Sequence, residues 1–243
     1  VDPRKVLPGA QSILTLAISY GDQARTGPAG RAWEVTSPAA SGIVARYARY
    51  SDYHDVIGDR LRDLAACIDG LGGPGTRSLG YVDTGPVLER DLAQRAGLGF
   101  VGKHTGLVSR SLGNWFLIGE ILTTLELEPD PPEPNHCGRC TRCIDACPTG
   151  ALPAPFKLDA RRCIAYLTIE LRGPIPEELR PLVGSRIFGC DDCLEACPWN
   201  RFAKEASLMR PHARPELGNP ALVELLGLDE ETFRTRFRGT PMA

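Results

Sequence analysis

Eight of the chain's nine cysteines fall between Cys137 and Cys197, and they carry its plainest chemistry. The first four read Cys137-x2-Cys140-x2-Cys143-x3-Cys147-Pro148. Bacterial ferredoxins use this run to hold iron–sulfur clusters, with the fourth thiolate carried away to the other cluster. Pro148 turns the chain aside after Cys147. The second run, Cys190-x2-Cys193-x3-Cys197-Pro198, is one cysteine short, and Cys163 is the substitute. The spacing predicts a crossed wiring. Cys137, Cys140, Cys143 and Cys197 hold one 4Fe-4S cluster; Cys163, Cys190, Cys193 and Cys147 hold the other. Structural zinc is the alternative for paired cysteines. A disulfide scaffold is not expected in a chain of 243 residues with an odd cysteine count. The ninth, Cys67, neighbours an apolar helical stripe and is expected to be a buried structural thiol. His136 is read as a linker residue beside the first run.

Paired clusters pass single electrons and select no substrate, so the reaction must be sought earlier in the chain. Asp83 follows an apolar, strand-like segment and precedes Gly85-Pro86. Strand ends are common places for reactive groups, and partial burial there suits a carboxyl to proton donation. The alternative is an N-cap of the following helix. Lys103 and His104 sit in a Gly-rich turn that could hold phosphate or another anion, or serve only as loop-surface residues. Tyr47, Tyr50, Tyr53 and His54 interleave with Arg46 and Arg49, a set that can stack on bases and pair with phosphates. Surface and core packing explain the same set. Gly97-Leu98-Gly99-Phe100-Val101-Gly102 follows a helix, not a strand, which speaks against a dinucleotide fingerprint.

The elements that must position these residues are mixed. Ser12–Ser19 reads as a buried strand. Residues 23–42 read as a loop. Ile57, Leu61, Leu64 and Ile68 recur at helical spacing, which predicts a helix over about 54–69 ended by the following glycines. Leu79–Val82 is a short strand and Val87–Ala96 a helix; 115–125 could be strand or helix, with its Ile, Thr and Trp content favouring strand. A helical pattern covers 221–237. Four prolines within 128–136 mark a boundary. Three regions are expected: a catalytic α/β domain at 1–128, a ferredoxin-like module at 129–205 and a helical segment at 206–243. Net charge is -2, so bulk charge does not indicate a nucleic-acid binder, although a local basic face is compatible with it. No apolar run reaches membrane-spanning length. Val1 is not an initiator methionine, and no signal peptide is recognised at the start. A cytoplasmic protein is expected.

Several segments together resemble one family, the epoxyqueuosine reductases. They are ARYARYSDYH at 45–54, YVDTGPVLERDLAQRAGLGFVGKHT at 81–105, GNWFLIGEI at 113–121, CGRCTRCIDACPTGAL at 137–152, LDARRCIAYLTIE at 158–170 and IPEELRPLVGSRIFGCDDCLEACPWNRFA at 175–203. The cluster run alone is shared widely; its combination with VDTGP and GCDDCLEACPWN is specific. The resemblance implies an α+β/α/β fold: a nitroreductase-like, cobalamin-binding core fused to a ferredoxin-like module with two 4Fe-4S clusters. It implies reduction of an epoxide on a modified guanine at the wobble position of tRNA, in the anticodon loop. Electrons pass through the clusters to cobalamin, with Asp83 as proton donor. It makes Tyr47, Tyr53, His54, Lys103 and His104 candidates for the cofactor surface. It further implies a monomer fed by an electron donor such as a flavodoxin or ferredoxin. Family members usually show Asn where His104 stands. They also begin earlier and extend past Ala243, so N- and C-terminal parts are expected to be missing here. A reductive dehalogenase and a simple electron carrier are the rival readings. An export signal usually accompanies the first and none is visible here, and the second would not need the residues before the cysteines.

Overall fold

The computed structural model describes residues 2–21 and 41–243. The expected loop at 23–42 lies almost wholly outside the described residues. A short helix α1 (Pro3–Val6) leads into β1 (Ser12–Ser19). After β2 (Ile43–Val44) comes the long helix α2 (Tyr53–Gly72), then β3 (Ser78–Tyr81) and α3 (Glu89–Arg95). The hairpin β4 (Phe100–Val101) and β5 (Leu107–Val108) precedes β6 (Phe116–Thr123). The cysteine-rich part carries α4 (Arg142–Asp145), α5 (Ile164–Ile169), α6 (Arg180–Val183), β7 (Arg186–Phe188) and α7 (Asp192–Glu195). Two helices, α8 (Leu222–Leu226) and α9 (Glu230–Arg236), lie in the tail.

The main sheet has order β1-β6-β3 and is antiparallel throughout. Its two faces are covered by different helices. On one face, α2 presents Tyr53, Ile57, Leu61, Ala65 and Ile68, all buried. Leu61 seats in a bare patch of the sheet. A Cβ on Gly80 would stand 2.8 Å from the Leu61 Cβ, and one on Gly119 would stand 3.2 Å from its Cδ1. On the other face, Ala93 of α3 packs with Phe116, and Ala17 and Ile118 lie against them. Helix α2 starts where the Asp52 carboxylate accepts the His54 N–H, and it ends at Gly73 in a left-handed conformation, φ 76°.

Cys67 falsifies its expected burial, because it is exposed. It lies one residue from Ile68, about 100° around the helix and off the buried stripe.

Helices α4 and α7 pack against each other, bringing the two cysteine runs side by side. Strand β7 pairs in parallel with β2, Val44 opposite Phe188, and so joins the second run to the first half of the chain. The tail returns to the same region. Ala213 bridges to Tyr50, Ala221 bridges to Ser41, and the Asp52 N–H donates to the Gly239 carbonyl at 2.8 Å. Among the described residues, no helix is long and apolar enough to cross a membrane.

Candidate active site and cysteine centre

Cys137, Cys140, Cys143 and Cys197 line one cavity of about 210 Å3, together with His104, His136 and Trp199. The β4–β5 turn fastens this run in place. The Lys103 N–H donates to Cys137 Sγ at 3.4 Å, and its ammonium donates to the carbonyls of Gly138 and Cys140 at 2.8 and 2.9 Å. Asn135 accepts the Cys137 N–H and donates to Val101. Burial raises the Cys143 thiol, and the charges of Cys197 and Cys137 raise it further. The other set is also brought together. Burial pushes Cys193 up to about 12, followed by the charges of Cys163, Cys147 and Cys143. Cys190 is raised, chiefly by burial and then by Asp192. The Ala151 N–H donates to Cys147 Sγ at 3.2 Å.

Cys143, Cys190, Cys193 and Cys197 thus favour the protonated form until positive charge arrives, when a metal centre displaces the protons. Among the described residues, no three His, Cys, Asp or Glu side chains converge tightly enough to hold a single ion. The first set surrounds a space rather than a point. A single zinc needs sulfurs about 2.3 Å from one centre. The donor set and the N–H groups aimed at sulfur fit an iron–sulfur cluster.

Asp83 stands just past the end of β3 with φ 53°, a left-handed conformation that a non-glycine residue adopts at a cost. Two contacts hold it. The Tyr53 hydroxyl donates to Asp83 Oδ2 at 2.6 Å, and the Asp83 N–H donates to Glu89 Oε1 at 2.7 Å. Asp83 is not the helix cap: α3 is capped by Leu88, with no side-chain bond. Nor is it partly buried as expected, because it lies exposed. Burial, then the bond to Asp83, raises the Tyr53 hydroxyl far above its ordinary range, so it remains a donor. The Tyr47 ring meets Tyr53 edge-on at 5.9 Å and lies 6.4 Å from the Phe188 ring. Phe188 is two residues before Cys190. Aromatic contacts therefore run from the Asp83 turn to the second cysteine run.

The remaining candidates divide. His54 stacks on Tyr53 at 4.1 Å, while its Nδ1 lies 2.7 Å from Asp52 Oδ1. Lys103 is buried, with its ammonium on backbone carbonyls, so it is not the open phosphate site the turn suggested. His104 is buried beside it, accepts the Gly106 N–H at 3.0 Å, and is pushed down to about 4 by burial. It is therefore neutral at physiological pH. Arg46 pairs with Glu195 at 2.9 Å and covers the Trp115 ring, and Arg49 donates to the Val44 carbonyl. Packing thus explains this aromatic-basic segment better than an RNA-stacking surface does. Sequence reasoning missed Glu120, which is fully buried in β6. Its signal was a lone charge in the apolar run WFLIGEIL.

Two family models match the chain. Residues 1–84 match "Epoxyqueuosine reductase QueG, DUF1730", and residues 136–200 match a "4Fe-4S double cluster binding domain". A curated epoxyqueuosine reductase of Xanthomonas campestris is 47% identical over 99% of this chain and 66% of its own length. Two further relatives at 44% identity are covered over 65% and 67% of theirs, so the chain spans about two thirds of the curated proteins it matches. A crystal structure of epoxyqueuosine reductase with an epoxyqueuosine-modified tRNA-Tyr stem loop superposes with a TM-score of 0.85 at 33% identity, over all of this chain and 64% of that one. A Bacillus subtilis epoxyqueuosine reductase, its catalytic aspartate loop swung out of the active site, superposes at 0.84 with 32% identity, over all of this chain and 64% of its own. With its 4Fe-4S binding domain and its likeness along the whole described length, the chain belongs to the epoxyqueuosine reductase family.

Proposed function

We propose that this chain reduces epoxyqueuosine to queuosine at the wobble position of tRNA, with Asp83 as the proton donor. One observation carries the assignment: an exposed carboxyl, fixed on a phenol in a left-handed turn, is joined by aromatic contacts to a cysteine run. The relative solved with an epoxyqueuosine-modified stem loop supports the substrate, and the relative with a mobile catalytic aspartate loop supports an aspartate in the reaction. Removing one epoxide takes two electrons and two protons. Two C–O bonds break, a C=C bond forms, and the oxygen leaves as water. Asp83 gives a proton to that oxygen, which would otherwise depart as a costly bare anion. The Tyr53 hydroxyl holds the carboxyl in position.

The clusters and cobalamin, when bound, supply single electrons and a strongly reducing cobalt centre. Cys137, Cys140, Cys143 and Cys197 would hold one 4Fe-4S cluster; Cys163, Cys190, Cys193 and Cys147 would hold the second. Lys103 and His104 support the first of these. Asp83, Tyr53 and Tyr47, with His54 behind them, fit a corrin in type: an open face with a carboxyl, phenols and aromatic rings. The proposal includes a nitroreductase-like core at 1–128, a ferredoxin-like module at 129–205 and a helical segment at 206–243. It also includes a monomer acting in the cytoplasm, with a small electron-transfer protein as donor.

The test is anaerobic reconstitution of the purified chain with iron, sulfide and cobalamin, a visible spectrum of the bound corrin, and incubation with epoxide-bearing tRNA and a reductant. Queuosine is the expected product. A chain loaded with both clusters and cobalamin that binds this tRNA and leaves the epoxide intact would overturn the proposal.

A further inference from the structure

The main sheet contains one buried carboxyl. Glu120 is 0% exposed, and no N–H or hydroxyl donor reaches either of its side-chain oxygens. In the strand register it lies between Thr15 of β1 and Tyr81 of β3. The Thr15 hydroxyl is likewise buried without a partner. Gly119 faces α2, so Glu120 points to the opposite face, where α3 packs. Helix α3 opens with Glu89, whose Oε1 accepts the Asp83 N–H. The Glu89 and Glu120 carboxyls lie within hydrogen-bonding reach of each other, so the reactive turn, Glu89 and Glu120 are consecutive in space.

An unpartnered buried carboxylate is expensive, and two neighbouring carboxylates cannot both be charged at low cost. Burial, and then the Glu89 charge, push Glu120 up to about 8. Glu89 is also raised, by burial and then by Asp83, but the Asp83 N–H and Arg90 favour its charged form. The groups facing the pair are Asp83 from the turn, Arg90 from α3, Thr15 from β1 and Tyr81 from β3.

We propose that Glu120 and Glu89 form a carboxyl pair with one proton, and that this pair is a positioning device for Asp83. Glu120 carries the proton. Glu89 is the charged member and fixes the left-handed turn through the Asp83 N–H. When the pair loses its proton, two adjacent carboxylates repel, and the more exposed Glu89 moves off the turn. Its effect on turnover rests on the reading of Asp83 as proton donor; the existence of the pair does not.

The test uses the full chain with its clusters and cobalamin. Infrared spectra from pH 6 to 10 should show the C=O stretch of a protonated carboxyl, lost with a midpoint of about 8. Glu120→Gln should abolish that band. Glu89→Gln should move its midpoint down, since the like charge is gone. In turnover on epoxide-bearing tRNA, Glu120→Gln should carry the alkaline fall in kcat to higher pH. Glu89→Ala should lower kcat by about tenfold with little change in KM, the scale of one lost charge-assisted hydrogen bond. No acid band at pH 7, or a band unchanged in Glu120→Gln, overturns the pair. A band that behaves as expected, with a kcat profile unmoved by either variant, overturns the positioning role. Full turnover in Asp83→Asn would instead remove the proton-donor reading and leave the infrared result standing.

Discussion

Asp83 combines two properties that rarely meet: an exposed carboxyl and a backbone conformation that must be held from outside. Asn keeps its size and can keep the Tyr53 contact, but it has no acidic proton to give. Asp83→Asn should therefore lower turnover by roughly 10²-fold or more while iron and corrin content stay constant, as read by metal analysis and single-turnover assay. Glu120 makes a prediction about stability. Its folded proton affinity is raised from the ordinary 4.5 to about 8, so the folded chain keeps a proton that the unfolded chain releases. That contribution is fully present below about pH 4.5, declines as pH rises, and is gone above about pH 8. Glu120→Gln should flatten this slope in urea melts taken between pH 5 and 9. Residue types singled out the cysteines and Asp83 as candidates, because a spacing or a strand end carries a signal locally. The place of Lys103 was not legible, because its partners, the carbonyls of Gly138 and Cys140, lie 35 and 37 residues away.

Helix α2 and the sheet beneath it were legible from pattern alone. The apolar spacing gave the buried face of the helix, and the β-branched content gave β1 and β6. The antiparallel order β1-β6-β3 was not legible, since pairing depends on contacts between strands far apart in the chain, such as Ser12 with Thr123 and Ser78 with Thr123. Helices α4 and α7 were not legible either. Each has four residues, too few for a periodic signal, and each is set by the cysteine turns around it. The seat of α2 can be tested at Gly80. A methyl there would meet the Leu61 Cβ at 2.8 Å, with strand and helix backbone on either side. Gly80→Ala should destabilise the chain by about 1–3 kcal/mol through overpacking, measured as a lower urea midpoint with unchanged slope. The Asp83 turn follows directly from β3. The same variant should therefore loosen that turn more than the cysteine runs, which exchange protection of the Val82 and Cys143 amides would separate.

At the scale of the molecule, the two halves are joined by β2 against β7, by the Lys103 turn on the first cysteine run, by Arg46 on Glu195, and by the tail returning to Ser41, Tyr50 and Asp52. The cysteine wiring decides whether the two runs form one unit. In an uncrossed arrangement, Cys147 serves the cluster of its own run. In the crossed arrangement it serves the cluster of Cys163, Cys190 and Cys193, and the surroundings of Cys193 favour this, because Cys163 and Cys147 are its leading thiol neighbours. Single variants do not separate the two schemes, since either loses one cluster. The double variant Cys147→Ser with Cys163→Ser does. Crossed wiring places both changes on one cluster, so about four irons should remain after anaerobic reconstitution, with one intact cubane signal in the reduced state. Uncrossed wiring places them on different clusters, and little iron should survive. The partner experiment, Cys143→Ser with Cys197→Ser, should again leave about four irons, now on the second set. Sulfurs from each run would then close the other's cluster. Neither run could complete its cluster alone, and folding of the cysteine-rich part would be coupled to loading both.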